Sequence, residues 1–181
     1  GRNKGYEKGV AFEHPEGAML QSEMDVTYRK HKNPLFQAVM ANARNQHFKG
    51  VFERENVRGA MKALKQGRTL WYAPDQDYGA HHSVFVPFFG VEAATITATT
   101  RFARVNDSAL LFYRHYRNAD CTGYHLEFGP VIEDYPSDDE TENAIRINTI
   151  IEEAIRKQPD QYLWLHKRFK TQAKGKAYRP Y

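Results

Sequence analysis

Cysteine is nearly absent: Cys121 is the only one in 181 residues, which excludes an internal disulfide and fits a reducing compartment. Long apolar runs are missing too. No stretch approaches the ~20 apolar residues that a membrane-spanning helix requires, so no segment reads as a bilayer crossing. Internal repeats and low-complexity tracts are lacking, and one compact α/β domain over 1–181 is the economical reading. The chain opens at Gly1 with neither an initiator Met nor a signal-like segment, so the expectation is a chain truncated at its N-terminus. What is present is a modest excess of base. Lys and Arg number 26 against 22 Asp and Glu, and this net charge of +4 favours anionic partners.

Helical and strand-like patterns alternate along the chain. Leu35, Phe36, Val39, Met40 and Ala43 recur at helical spacing over 35–46. Over 55–66, Val57, Ala60, Met61 and Leu64 share one face, and Gly67 is placed to stop the helix. A strand follows at 69–73. Segment 94–105 carries four threonines and reads as helix, because Ala94, Ala98 and Phe102 share a face. Strands are expected at 110–116 and 124–128, joined by a turn containing Asn118, Asp120 and Gly123. Ser137 to Glu140 supply a capping box for a long helix with a buried stripe of Ala144, Ile147, Ile151, Ala154 and Ile155, ended by Pro159. A short aromatic helix, Gln161 to Phe169, and a basic tail over 172–181 complete the pattern.

The most chemically pointed segment is WYAPDQDYGAHHSVFVPFFG, Trp71 to Gly90. An apolar strand runs into Pro74, which cannot donate to a continuing ladder, so the chain turns and delivers Asp75 and Asp77 into a loop. In open α/β sheets ligands gather beyond the carboxyl ends of strands. A connecting loop with solvated acids has the same pattern, and spacing alone leaves both open.

The strings TYRKHKNPLF (27–36), MKALKQGRTLWYAPDQDYG (61–79), SVFVPFFGVEAATITATTRFAR (83–104) and PDQYLWLHKRFKT (159–171) carry a resemblance. The chain resembles the C-terminal two-thirds of the late acyltransferases of lipid A biosynthesis, the lauroyl and myristoyl transferases of Gram-negative bacteria. The resemblance implies transfer of a fatty acyl group from an acyl carrier protein thioester to a hydroxyl of a lipid A precursor, at the cytoplasmic face of the inner membrane. It also implies a fold like that of the glycerol-3-phosphate acyltransferases, an αβα-type domain with a central mixed sheet flanked by helices, and no cofactor or metal. By that analogy Arg29 would bind phosphate or an oxyanion and Asp75 would orient a substrate, with Lys32 and Asp77 as substrate-binding neighbours.

Such a transfer needs a general base to activate an alcohol, which histidine supplies best, and a donor for the developing oxyanion. The family provides the base as a His followed after four residues by Asp or Glu. Here the corresponding stretch is AFEHPEGAMLQSEM, where His14 is followed at position 19 by Met19. His14, oriented by Glu16, is the candidate base, and the alternative is a catalytically defective relative that binds lipid or acyl carrier protein without transfer. One literal His-x4-Asp, His115 to Asp120, spans a predicted strand and turn and reads as coincidence. His81 and His82 could be drawn with Asp75 and Asp77 as a metal site, but the spacing is not compact. His166 is expected to pack beside Trp164.

Lys167, Arg168, Lys170, Lys174, Lys176 and Arg179, interleaved with aromatics, offer a cationic surface. No nucleic-acid motif accompanies them. A membrane surface or an acidic carrier protein accounts for the same residues.

Overall fold

A computed structural model of the protein describes residues 24–175, 178 and 181. The class is α/β, as expected. Strand β1, Met24–Tyr28, lies at the centre of a parallel three-stranded sheet between β2, Gly50–Glu53, and β3, Thr69–Trp71. Parallel neighbours need crossovers, and two helices supply them: α1, Pro34–His47, and α2, Val57–Lys65. The remaining strands form two antiparallel hairpins. One pairs β4, Ser83–Phe88, with β5, Val91–Ile96; the other pairs β6, Leu111–Arg117, with β7, Tyr124–Val131. Between them runs α3, Ala98–Arg104, and after them α4, Glu140–Lys157.

Local chemistry explains most of these elements. Asn33 caps α1 by accepting from Phe36 N at 3.1 Å, and Asn56 caps α2 by accepting from Gly59 N at 3.0 Å. Asp139 caps α4, accepting from the amides of Thr141 and Glu142 at 2.7 and 3.3 Å. Gly67, at φ +77, turns the chain from α2 into β3 in a conformation that L side chains rarely adopt.

The expected apolar stripe of α4 is buried in full. Ile147, Ile151 and Ile155 join Phe88 and Ala93 in one core cluster, against which Phe112, Tyr162 and Phe169 pack. A second cluster joins Ala60 and Leu64 of α2 to Ala98 and Phe102 of α3, with Leu70 and Tyr72 packed on it.

Two expectations are corrected. Residues 94–96 belong to β5, where Ala94 pairs with Phe85 and Thr95 with Val84, and helix begins only at Ala98. The shared face of Ala94 and Ala98 arises because a strand and the helix after it bury small residues on the same core. Likewise no helix spans Gln161 to Phe169. Two short 3-10 turns, Pro159–Gln161 and Trp164–His166, replace it, and Lys167 adopts a left-handed conformation at φ 49 that breaks the second.

Beneath the parallel sheet, Asp25 of β1 is fully buried and ion-paired with Arg68. Burial pushes its carboxyl above the usual range while the guanidinium pulls it back. Gly50 lies against this pair: a Cβ there would meet Asp25 Oδ1 at 2.6 Å and Arg68 Nη2 at 2.7 Å. Gly50→Ala is therefore expected to cost about 2 kcal/mol of stability by overpacking. Urea denaturation measures it, and an unchanged midpoint would show that the ion pair yields freely.

Candidate functional site

Because β1, β2 and β3 are parallel, their carboxyl ends share one edge of the sheet. Arg29 leaves β1 there, Arg54 leaves β2, and the Pro74 turn carries Asp75 and Asp77 away from β3. Arg54 donates to Glu55 Oε1 at 2.7 Å and lies 5.5 Å from the centre of the Tyr78 ring. The cations of Arg54 and Arg29 help hold the Glu55 carboxyl below its usual range, with the Arg54 hydrogen bond as the main cause. Tyr78 in turn donates to the carbonyl of Ala73 at 2.8 Å, fixing the turn that precedes Asp75.

Asp75 lines a cavity of about 410 Å³ between β3, β6 and α4. The walls are mainly apolar, with Trp71, Phe112, Ile147, Ile151 and Leu163 among them. Burial pushes the Asp75 carboxyl above the ordinary carboxylate range, and the neighbouring His166 and Arg168 partly offset that rise. Tyr162, which also lines the cavity, donates to the Asp75 backbone carbonyl at 3.3 Å. A lone carboxyl facing an apolar cavity is a polar handle beside room for a long hydrocarbon.

The other residues singled out from the sequence fall in different places. Asp77 is engaged within the chain: Oδ1 accepts from Gly79 N at 2.8 Å and from Thr171 Oγ1 at 2.9 Å, and Oδ2 accepts from Thr171 N at 2.6 Å. It clips the C-terminal segment to the loop. Lys32 is exposed on the approach to α1, and Arg29 is exposed at the sheet edge. His14 and Glu16 lie outside the described residues. His115 faces Leu126 across the β6–β7 hairpin, while Asp120 accepts from Thr122 in the turn, so the two form no dyad. His166 is exposed rather than packed. Among the described residues, no group of three His, Cys, Asp or Glu side chains could hold a metal ion.

Three residues escaped the sequence reading. Arg54 occupies the same strand-end position on β2 that Arg29 occupies on β1, and that equivalence was available once the strands were taken as parallel. Tyr162 was visible only as an aromatic. Arg168, counted among the surface cations, is in fact 2% exposed, which removes it from any headgroup or phosphate surface.

These elements define an α/β protein with a parallel sheet, a carboxyl beyond its strand ends and an apolar cavity beside that carboxyl. More narrowly, the chain belongs to the bacterial lipid A biosynthesis acyltransferase family, whose model matches residues 17–171. It is 44% identical over 159 residues to the lipid A biosynthesis palmitoleoyltransferase of Escherichia coli (strain K12), covering 87% of this chain and 52% of that protein. It is 42% identical over 149 residues to the lipid A biosynthesis lauroyltransferase of the same organism, covering 82% and 49%. A lipid A biosynthesis acyltransferase of Haemophilus influenzae is 37% identical over 152 residues, covering 83% and 49%. The chain thus spans about half the length of the curated relatives it matches.

Proposed function

We propose that this chain transfers a fatty acyl group from an acyl carrier protein thioester to a hydroxyl of a lipid A precursor at the cytoplasmic face of the inner membrane. The observation that carries the reading is the placement of Asp75 on the wall of an apolar cavity, beside a sheet edge bearing Arg29 and Arg54. A cavity of about 410 Å³ falls within the range of small-molecule sites and suits a single hydrocarbon chain. Each buried methylene contributes about 0.8 kcal/mol, so the cavity holds the acyl group while Asp75 orients the reacting end.

In the reaction the acceptor oxygen attacks the thioester carbonyl carbon. The carbon–sulfur bond breaks, a carbon–oxygen ester bond forms, and the acceptor's proton ends on the departing carrier thiol. His14 would take that proton first, oriented by Glu16, and Arg29 would meet a phosphate or the developing oxyanion. Lys32, from the approach to α1, and Asp77, through the loop it clips, would be lesser contributors to substrate binding. No helix among the described residues is long and apolar enough to cross a membrane.

One sequence observation favours a second reading, binding without turnover: His14 is followed at position 19 by Met19 in place of the usual acid. Incubation with acylated carrier protein and a tetra- or penta-acylated lipid A precursor separates the two. Mass gain by the precursor, lost in His14→Ala, supports transfer; binding with no gain supports the second. In the same assay Arg29→Ala is expected to lower kcat/KM about tenfold, a loss comparable to one charge-assisted hydrogen bond. An unchanged value removes Arg29 from the site.

A further inference from the structure

α1 is built inside out. Its inward row is Gln37, Met40, Ala41 and Arg44, whereas Leu35, Phe36 and Val39 are 76%, 50% and 57% exposed and no residue of the helix is fully buried. Polar contacts hold it that way. Gln37 donates to the Tyr28 hydroxyl at 3.0 Å and accepts from His31 N at 2.9 Å, and the Arg44 guanidinium lies 4.9 Å from the centre of the Tyr28 ring. Water alone does not select such an orientation, since leaving a large apolar side chain exposed forgoes stabilisation that burial would provide.

The charge on this face has one sign. α1 contains no acidic residue, and while Arg44 turns inward onto Tyr28, the segment leading into the helix exposes Arg29, Lys30 and Lys32. Lys30 reaches Glu53 at 3.5 Å yet keeps 63% of its side chain exposed. The helix also starts from the carboxyl edge of the sheet, the edge that presents Asp75.

The geometry points to α1 as the face that docks on an anionic bilayer, with Leu35, Phe36 and Val39 entering the boundary between headgroups and acyl chains. Arg29, Lys30 and Lys32 then lie at the level of the lipid phosphates. This rests on the reading of the chain as an acyltransferase acting on a lipid at a membrane surface, and it assigns the element that meets the surface. A second copy of the chain suits the face poorly. A two-fold interface would set these cations against their own equivalents.

Vesicle co-sedimentation of the full chain tests the assignment, using phosphatidylglycerol–phosphatidylethanolamine vesicles with phosphatidylcholine vesicles as control. The expected result is salt-sensitive partition onto the anionic vesicles only, weakened at least about tenfold by Leu35→Asp with Val39→Asp. Lys30→Glu with Lys32→Glu, which touches no apolar side chain, is expected to weaken it similarly, with the melting temperature lowered by no more than about 4 °C through the lost Lys30–Glu53 pair. Partition unchanged in both variants overturns the assignment. So does a dimer that the aspartate variant dissociates with no effect on vesicles, or a loss confined to binding of an acidic carrier protein. Transfer assayed separately in detergent micelles keeps the two readings apart: docking without transfer sustains the α1 assignment and removes the transferase reading.

Discussion

Asp75→Asn is expected to lower acyl transfer about 100-fold while leaving the fold intact, because the substitution removes the charge proposed to orient substrate and keeps the shape of the side chain. The electrostatics set the stability side. Burial raises the Asp75 carboxyl above its ordinary value of 3.8, so the folded state favours the protonated acid. As pH rises from 3.8 through the raised value, ionisation costs folding stability, and at neutral pH the charged Asp75 is a burden on the fold. Asparagine removes that cost. It also withdraws a negative charge whose field favours the buried guanidinium of Arg168. The two effects oppose each other, and the melting temperature is expected to move by no more than about 4 °C, the equivalent of roughly 1 kcal/mol. The wild-type rate is expected to show an acid limb above the ordinary carboxylate range that the asparagine variant lacks. Activity within about threefold of wild type would remove Asp75 from substrate orientation.

The sequence displayed those parts of the fold in which period and burial agree. The stripe of α4, the face of α2 and the strand before Pro74 were legible because each element buries one side against one core. Asp75 was legible for the same reason, since a proline after an apolar strand forces the acids into a loop. Residues 94–96 were not, because small residues and threonine satisfy a buried edge of strand or helix alike, and only pairing with β4 decides between them. The orientation of α1 was not legible either. Its apolar spacing announces a helix, and the contacts of Tyr28 with Gln37 and Arg44 determine which side faces out. In 159–171 the aromatic spacing mimics a helix, yet Phe169 and Tyr162 pack on the core cluster of Phe88 from irregular backbone. Arg168 was misplaced because composition records charge and says nothing of depth.

Depth makes Arg168 the most consequential structural side chain of the C-terminal segment. Its guanidinium donates from Nη1 to the Ala94 carbonyl at 2.7 Å and from Nη2 to Thr95 Oγ1 at 2.8 Å and Asn148 Oδ1 at 3.4 Å. It also lies 5.1 Å from the centre of the Phe88 ring. Asn148 extends the network, donating to the Pro87 carbonyl at 2.8 Å and to Thr95 Oγ1 at 3.1 Å. Burial lowers the guanidinium's pKa from its usual value, and the charges of Asp77 and Asp75 counter that without a direct ion pair. Arg168→Met keeps much of the apolar stem but leaves the Ala94 carbonyl and the Asn148 amide oxygen without this donor. The expected loss is about 4 kcal/mol, or roughly 10 °C in melting temperature for a chain of this size. Arg168→Lys restores the charge but not the planar fork that reaches β5 and α4 together, so it should recover less than half of the loss. Transfer should fall alongside stability. Arg168 and the Asp77–Thr171 clip hold the segment that sets Tyr162 against Asp75 and Leu163 in the cavity wall. A methionine variant that melts within about 2 °C of wild type would show the network to be dispensable. The C-terminal cations would then matter only at the surface, where Arg168 is not.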